Sequence, residues 1–220
     1  RTGTPPSGIP SLAGAGHCEH FDYKTISSWY AKAEAELGVS TLLYANIHEF
    51  GYQVNASAPA GSTAGTCAEA NTSAFCEANR IFDRHRAAFV RTQDYSTADV
   101  WNGSVLQSGQ FPIPPGVQVM DAGVEAWADF QLAQLERQLQ LTPGSRGVCV
   151  DRIDHSSVFN GNADDGMSWH WGNASFLALG TRRTAARMGA VLHRRGLAMF
   201  VSPTNPRVDL LQPFDGVYDE

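Results

Sequence analysis

Two aspartates in the second half of the chain directly follow segments that are predicted to be strands, a position from which their side chains could act in catalysis. Asp151 closes the apolar run 147–150, and Asp219 closes the short run 216–218. Two carboxyl groups that flank one bond can hydrolyse a glycoside, because one protonates the leaving oxygen while the other attacks the sugar or activates water. Glu220 is a second candidate for the acid. The alternative is that one of these carboxylates only caps a loop or pairs with an arginine.

Polar and aromatic residues around these aspartates are candidates for binding a sugar. The apolar C–H edge of a pyranose stacks on an aromatic face, and carboxylate, amide and guanidinium groups hydrogen-bond to hydroxyl groups. The candidates are Asn46, Asp154, Asp165, Trp169, Trp171, Arg207 and Asp209. Structural alternatives remain open: Asp154 suits a hydrogen bond to Arg152 or within its loop, and Asp165 suits a polar turn or a cation site. The two tryptophans equally suit loop packing, and Arg207 is expected to pair with Asp209.

Other chemistries find no support in the sequence. The seven histidines form no HxH or HExxH pattern, which argues against a catalytic zinc site. A GxSxG elbow is absent, as are GxGxxG and the phosphate-binding loop of nucleotide hydrolases. We therefore expect neither a metal nor a cofactor.

Composition limits the classes of partner. Of the 220 residues, 43% are hydrophobic and 17% charged, which excludes a disordered chain. The net charge is −6 and no basic stripe stands out, which argues against nucleic acid and against a membrane surface. No apolar run approaches the roughly 20 residues that span a bilayer. Carbohydrate is the expected partner.

Glycosylation sequons and cysteines favour an extracellular location. Four Asn-x-Ser/Thr sequons, more than chance predicts, begin at Asn55, Asn71, Asn102 and Asn173. Cys67 and Cys76 bracket a short polar loop that contains Asn71, and a disulfide-closed loop is its simplest interpretation. Cys149 lies in an apolar strand and is expected to be a buried thiol. Cys18 could pair with another cysteine or stay free. The sequence therefore predicts a secreted or lumenal protein.

The elements that must position these residues alternate between strands and helices. Strands are predicted at 41–47, 147–150, 197–201 and 216–218, with 9–13 as a further possibility and 117–120 outside the main sheet. Helices are predicted at 22–37, 78–89, 121–139 and 181–192, separated by long loops at 51–74 and 94–115. Repeated strand–helix units indicate a parallel sheet. In a (β/α)8 barrel the carboxyl ends of the strands form the active-site rim, and a single strand would separate Asp151 from Asp219.

The second half of the chain resembles a family of glycosidases. The stretch VMDAGVEAWADFQLAQLERQLQLTPGSRGVCVDRID is similar to the approach to the nucleophile in retaining α-galactosidases and α-glucosidases. The later stretch NPRVDLLQPFDGVYDE resembles their Arg-x-Asp-Leu segment and acid/base strand, and both stretches resemble glycosidase-like barrel proteins that carry DRID, DDG and YDE. The resemblance implies that Asp151 is the nucleophile and Asp219 the acid/base. Those enzymes often have Trp-Asp-Asn where this chain has Val150-Asp151-Arg152.

The sequence therefore predicts an α/β fold of the (β/α)8 TIM-barrel type. Only four or five of its eight strands can be placed, so we expect one incomplete barrel domain over 1–220 with loop insertions near 51–74 and 94–115. The missing strands would come from the rest of a longer polypeptide or from a partner subunit. The predicted activity is hydrolysis of α-linked glycosides through a covalent intermediate. The alternative is a non-catalytic extracellular glycoprotein that keeps the barrel for assembly or glycan binding.

Overall fold

The computed structural model of the protein describes residues 23–26, 40–50, 74–90, 118–151, 153, 158–170, 172–202 and 207–217. The chain divides into two compact units, which we call the sheet unit and the hairpin unit. The sheet unit comprises Arg1–Ile47, Gln131–Asp154 and Arg182–Glu220, and the hairpin unit comprises His48–Phe130 and His155–Thr181.

Ten strands and four α-helices make up the described part of the chain. The strands are β1 (Tyr23–Ile26), β2 (Ser40–Ala45), β3 (Glu49–Phe50), β4 (Gln118–Val119), β5 (Gly147–Asp151), β6 (Phe159–Asn160), β7 (Ser168–Trp169), β8 (Asn173–Phe176), β9 (Ala198–Ser202) and β10 (Gly216–Val217). The helices are α1 (Ala74–Arg84), α2 (Glu125–Leu141), α3 (Leu177–His193) and α4 (Val208–Leu211), with one 3-10 turn at Arg86–Ala88. None of these helices has the length and apolar character needed to cross a membrane.

The sheet unit is built on a five-stranded sheet in the order β1-β2-β5-β9-β10. Every neighbouring pair is parallel. The order follows the chain without reversal, unlike a doubly wound sheet, in which the strand order turns back at a switch point. Parallel winding in chain order is the pattern of a (β/α) barrel. Among the described strands, β1 and β10 are the edges and the sheet does not close, so the structure is α/β with a parallel sheet.

Strand β5 occupies the middle of this sheet, and all five of its residues are buried. Burial on both faces explains why GVCV reads as a continuous apolar run rather than an alternating one. Gly147 opens the strand because β9 lies against it: a Cβ atom there would come 2.0 Å from the carbonyl oxygen of Ala198. Sequence alone therefore locates this strand within one residue of its observed end at Asp151.

Local signals also set the ends of the long helices. Asp121 precedes α2 and its Oδ1 accepts a hydrogen bond from the Gly123 N–H at 2.7 Å, which turns the chain into the helix. The helix ends at Leu141, ahead of the Pro143–Gly144 pair. Helix α3 ends at His193 and is followed by Gly196 at φ +68°, a conformation that favours glycine.

The hairpin unit holds two small antiparallel sheets. Strands β3 and β4 pair in one, and β6, β8 and β7 pair in that order in the other. Two apolar clusters support them. The first contains Phe82, Ala88, Phe89, Met120 and Trp127, and the second contains Val90, Val119, Val158 and Leu177.

The predicted elements that fall on described residues are confirmed, except at Tyr23–Ile26, where a helix was predicted; residues 27–37 lie outside the described part of the chain. The predicted helix at 22–37 begins instead as β1, which pairs in parallel with β2 from Tyr23 opposite Ser40 to Ile26 opposite Leu43. Apolar residues at helical spacing suggested the helix, but the backbone hydrogen bonds of the sheet override that weak local preference. The short strand expected outside the main sheet is confirmed as β4, which pairs with β3. The possible strand at 9–13 and the loop at 94–115 lie outside the described residues.

One of the two described cysteines, Cys149, also differs from expectation. Cys76 and Cys149 are each disulfide-bonded, and no described cysteine is free. The expected thiol at Cys149 is therefore wrong, because burial in an apolar strand suits a half-cystine as well as a thiol. Cys67 lies outside the described residues, so its pairing with Cys76 stays a prediction.

Candidate active site

Asp151 ends the central strand of the parallel sheet and is only 6% exposed. Its register partner is Ser202, the last residue of β9, which is also buried. The carboxyl ends of parallel strands gather at one edge of a sheet, and in α/β proteins this edge carries the ligand site. Asp151 therefore stands at the edge where chemistry is expected, next to a hydroxyl from the neighbouring strand.

Tyr44 on β2 holds the Asp151 carboxylate. Its hydroxyl donates a hydrogen bond to Asp151 Oδ2 at 2.7 Å. The register explains the contact, because Tyr44 lies opposite Cys149 and side chains two residues apart point to the same face of a strand. A hydroxyl donor on a carboxylate makes a strong, charge-assisted hydrogen bond, so this contact fixes the orientation of the carboxylate.

Three further residues lie at the carboxyl edge of the sheet beside Asp151: Asn46, which was predicted, and Tyr44 and Ser202, which were not. Asn46 directly follows β2, whose last residue, Ala45, lies opposite Val150. Asn46 thus leaves the sheet at the same edge as Asp151. Tyr44 and Ser202 were not predicted, because an aromatic residue and a serine within apolar strands read as core. A Tyr near the end of the strand paired with the aspartate strand is the signal that could have revealed Tyr44.

The second predicted carboxylate follows the neighbouring edge strand. β10 pairs with β9 through Gly216 opposite Phe200 and Val217 opposite Val201. One strand, β9, therefore separates β5 from β10, as the sequence predicted. Asp219 and Glu220 come after Val217 and lie outside the described residues, as do Asp154 and Trp171.

Asp165, predicted to bind a sugar, is engaged in its own loop. Its Oδ1 accepts hydrogen bonds from the backbone N–H groups of Met167 and Ser168 at 2.9 and 2.7 Å. Its Oδ2 accepts from the Ser168 hydroxyl at 2.7 Å and from the Phe176 N–H at 2.9 Å. Partial burial raises the pKa of the Asp165 carboxyl, but these hydrogen bonds outweigh burial and lower its pKa to about 2. The polar-turn alternative accounts for every contact that is observed here.

Arg207 and Asp209 form the ion pair that the sequence predicted. The guanidinium donates to Asp209 Oδ2 at 2.7 Å and to Oδ1 at 3.1 Å, across the start of α4. The hydrogen bond from Arg207 and its positive charge lower the pKa of Asp209. Both side chains are about half exposed, so the pair contributes little to stability.

The remaining described candidate, Trp169, belongs to the hairpin unit. It lies on β7 opposite Asn173 and its side chain is 74% exposed. Asn173, Trp169 and Asp165 share one hairpin, whereas Asp151, Tyr44 and Asn46 share the edge of the sheet. No group of three or more His, Cys, Asp or Glu side chains that could hold a metal occurs among the described residues.

The sequence did not indicate a buried polar network around His48 in the hairpin unit. His48 is fully buried, with Nε2 at 2.9 Å from the Thr181 hydroxyl and Nδ1 at 3.3 Å from the Met120 carbonyl oxygen. The Thr181 hydroxyl also bonds to the Leu177 carbonyl oxygen at 2.7 Å. Both ring nitrogens are therefore occupied within the unit, which is the pattern of a structural histidine.

Comparison with solved structures identifies the fold. The α-galactosidase AgaA of family GH36 from Geobacillus stearothermophilus is similar with a TM-score of 0.51 and 11% identity, over 86% of this chain and 21% of that one. The chain has a glycoside-hydrolase-like fold. The glycoside hydrolase domain of PelA from Pseudomonas aeruginosa is 18% identical over 91% of this chain and 60% of its own, with a TM-score of 0.43. Ega3 from Aspergillus fumigatus, in complex with galactosamine, is 9% identical over 90% and 59%, with a TM-score of 0.46.

These similarities concern the fold alone. The chain spans about three fifths of the PelA domain and of Ega3, and about one fifth of the α-galactosidase. No protein-family model matches the chain. No curated protein sequence matches it either.

Proposed function

We propose that this protein hydrolyses glycosides with Asp151 as the nucleophile and Asp219 as the acid/base. The observation that carries the proposal is the buried Asp151 carboxylate at the carboxyl end of the central parallel strand, oriented by the Tyr44 hydroxyl. The glycoside-hydrolase-like fold supports the reaction class. The strand order supports the pair, since β9 alone separates the strands that precede the two aspartates.

The proposed reaction has two steps. Asp151 attacks the anomeric carbon and forms a glycosyl ester, while the bond to the leaving oxygen breaks and that oxygen takes the proton of Asp219. Asp219, now a carboxylate, then removes a proton from water. The water oxygen displaces Asp151 from the anomeric carbon, which restores both carboxyl groups. The hydrogen bond from Tyr44 would hold Asp151 in line for the first attack.

The α-linked substrate and the retention of configuration rest on the resemblance of the chain to retaining α-galactosidases. The distance between the two carboxyl groups decides the outcome: about 5–5.5 Å accompanies retention, and about 6.5–9.5 Å accompanies inversion. Product analysis by NMR of the first-formed anomer would test this part separately.

We further propose that the protein is a secreted glycoprotein that acts on carbohydrate. The support comes from the sequence: the sequons at Asn55, Asn71, Asn102 and Asn173, and the cysteine pair Cys67 and Cys76 around a short polar loop. In this proposal, the strands that would complete the barrel come from the rest of a longer polypeptide or from a partner subunit.

The replacement Asp151→Asn tests the catalytic proposal. It keeps the size of the side chain and a hydrogen bond to Tyr44 but removes the nucleophilic oxygen, so turnover of an activated aryl glycoside should fall by a factor on the order of 10³ or more. Initial rates and the thermal unfolding midpoint would be measured on the same preparations.

The matched control is Glu136→Gln, which removes an exposed carboxylate from the same unit and should leave turnover within about twofold of the parent. Undiminished turnover in Asp151→Asn would remove Asp151 from the mechanism. A folded parent protein that binds oligosaccharides without cleaving them would favour the non-catalytic alternative.

A further inference from the structure

The β7–β8 hairpin sets an exposed tryptophan directly opposite an asparagine. Trp169 and Asn173 are register partners in this antiparallel pair, and both side chains are exposed. Side chains directly opposite each other in an antiparallel ladder point to the same face, with Cβ atoms about 4.5–5.5 Å apart. The indole of Trp169 and the amide of Asn173 are therefore neighbours on the protein surface.

Asn173 is also the first residue of an Asn-Ala-Ser sequon. Its Nδ2 donates a hydrogen bond to Asp164 Oδ2 at 2.8 Å, which orients the amide at the rim of the hairpin. The amide carries two hydrogens on Nδ2, so one remains available for this bond when the other is replaced. The site is thus both exposed and geometrically compatible with a substituent on the nitrogen.

The hairpin itself is firmly held. Four hydrogen bonds to Asp165 tie the start of β7 to the end of β8. The ring of His170 stacks on Phe159 at 4.9 Å, and Phe159 stacks on Phe176 at 4.8 Å. A rigid hairpin presents Trp169 and Asn173 in a fixed relation, which lowers the entropic cost of a contact between the indole and a group attached to Asn173.

We propose that Asn173 carries an N-linked glycan and that the indole of Trp169 packs against its first sugar. Nδ2 attacks C1 of a sugar linked to a lipid diphosphate. The C1–O bond breaks with its electrons leaving on the diphosphate, and Nδ2 loses one proton. The apolar face of the attached N-acetylglucosamine then covers an indole that is otherwise 74% exposed. The proposal depends on the extracellular location proposed above but not on the glycosidase activity.

Site occupancy is the first measurement. The protein is secreted from a eukaryotic host, and the tryptic peptide that contains Asn173 is analysed by mass spectrometry after trimming with an endoglycosidase that leaves one N-acetylglucosamine. The proposal expects that single sugar on Asn173. An unmodified Asn173 in secreted, folded protein would overturn it, whatever the activity toward aryl glycosides.

A double-mutant cycle tests the packing. The parent, Trp169→Ala, Asn173→Gln and the double variant are compared as secreted protein carrying single trimmed sugars, and again as protein from a bacterial periplasm, where no glycan is added. The glycan should raise Tm by about 2–4 °C when Trp169 is present and by much less in Trp169→Ala. In bacterial protein the coupling between the two substitutions measures the direct contact between the two side chains, and the coupling in secreted protein should exceed that baseline.

Met167→Ala is the matched control, because Met167 lies in the same hairpin and is also 74% exposed. It should leave the Tm increment from the glycan unchanged. An increment that survives in Trp169→Ala, or that is lost equally in Met167→Ala, would show that Trp169 does not pack on the sugar. Turnover is recorded in parallel, so that a failure of this proposal is distinguishable from a failure of the catalytic one.

Discussion

At the scale of single residues, the contact between Tyr44 and Asp151 connects two strands through one hydrogen bond. A carboxylate that must attack along a defined line benefits from a donor that fixes one of its oxygens. Sequence patterns can indicate an aspartate at a strand end, but they cannot show which side chain on the neighbouring strand reaches it. That information depends on the register between Tyr44 and Cys149, which are far apart in the chain.

Tyr44→Phe is predicted to lower kcat by about 10- to 100-fold with little change in KM. The substitution removes only the hydroxyl, and a hydrogen bond to a charged group contributes about 1.5–3 kcal/mol. Steady-state kinetics with an aryl glycoside would measure both constants, and thermal unfolding would show that the variant is folded. A rise in KM at constant kcat would instead assign Tyr44 to substrate binding.

Asp165→Asn is predicted to destabilise the protein in a pH-dependent way. Because the pKa of Asp165 falls to about 2 in the folded protein from an ordinary value near 3.8, its ionised form stabilises the fold above pH 3.8. This contribution is lost as the pH falls toward 2. After allowance for solvent screening it amounts to about 1 kcal/mol.

Urea denaturation at pH 7 and at pH 2.5 would measure this effect. The parent should be more stable than the variant at pH 7, and the difference should shrink at the lower pH. An equal difference at both values would mean that the charge of Asp165 makes no contribution. Asp165 would then stabilise the turn only through the shape and hydrogen bonds of its side chain.

At the scale of elements, the helices and strands that are predicted best are those with recognisable residues at both ends. Helix α2 has Asp121 before it and Pro143–Gly144 after it, and β5 is an apolar run between a glycine and an aspartate. Such signals do not decide every element, because the segment that begins at Tyr23 also follows a potential helix cap, Asp22, and its apolar spacing fits a helix. Its strand conformation arises from pairing with β2, a long-range interaction that local patterns do not report.

The start of α3 packs so closely against the backbone of Gly123 that position 180 requires glycine. A Cβ atom at Gly180 would lie 2.3 Å from the Gly123 nitrogen and 2.4 Å from its Cα atom, both of which belong to the backbone. Gly180→Ala is therefore predicted to destabilise the protein by about 1–3 kcal/mol, although alanine is the better helix former. Chemical denaturation would measure the change.

Gly189→Ala in the same helix is the matched control. The nearest atom to a Cβ there is the Pro213 carbonyl oxygen at 3.2 Å, so a small adjustment is enough. The gain of about 1 kcal/mol in helix propensity should offset that adjustment, and the net change should stay within about 1 kcal/mol. Equal effects of the two substitutions would contradict the steric explanation for Gly180.

At the scale of the whole molecule, the parallel sheet was predictable from the sequence, whereas the contacts of polar residues such as Asp165 were not. Alternating strand and helix patterns predict a parallel sheet, and the observed order follows the chain. Composition could not distinguish a sugar-binding Asp165 from one that closes a turn, because both uses favour the same polar residues. The hydrogen bonds at its two oxygens fit the turn, and the sugar-binding role of Asp165 stays a prediction.

The order of the strands also bears on how the sheet assembles. Phe200 pairs with Gly216 across a short stretch of chain, Gly147 pairs with Ala198 across a longer one, and Leu42 pairs with Gly147 across the longest. Each doubling of a closed loop costs about 0.6 kcal/mol of chain entropy, and distant contacts slow folding. We therefore expect β9 and β10 to associate first, β5 to join them next, and the β1–β2 pair to dock last on a template that is already formed.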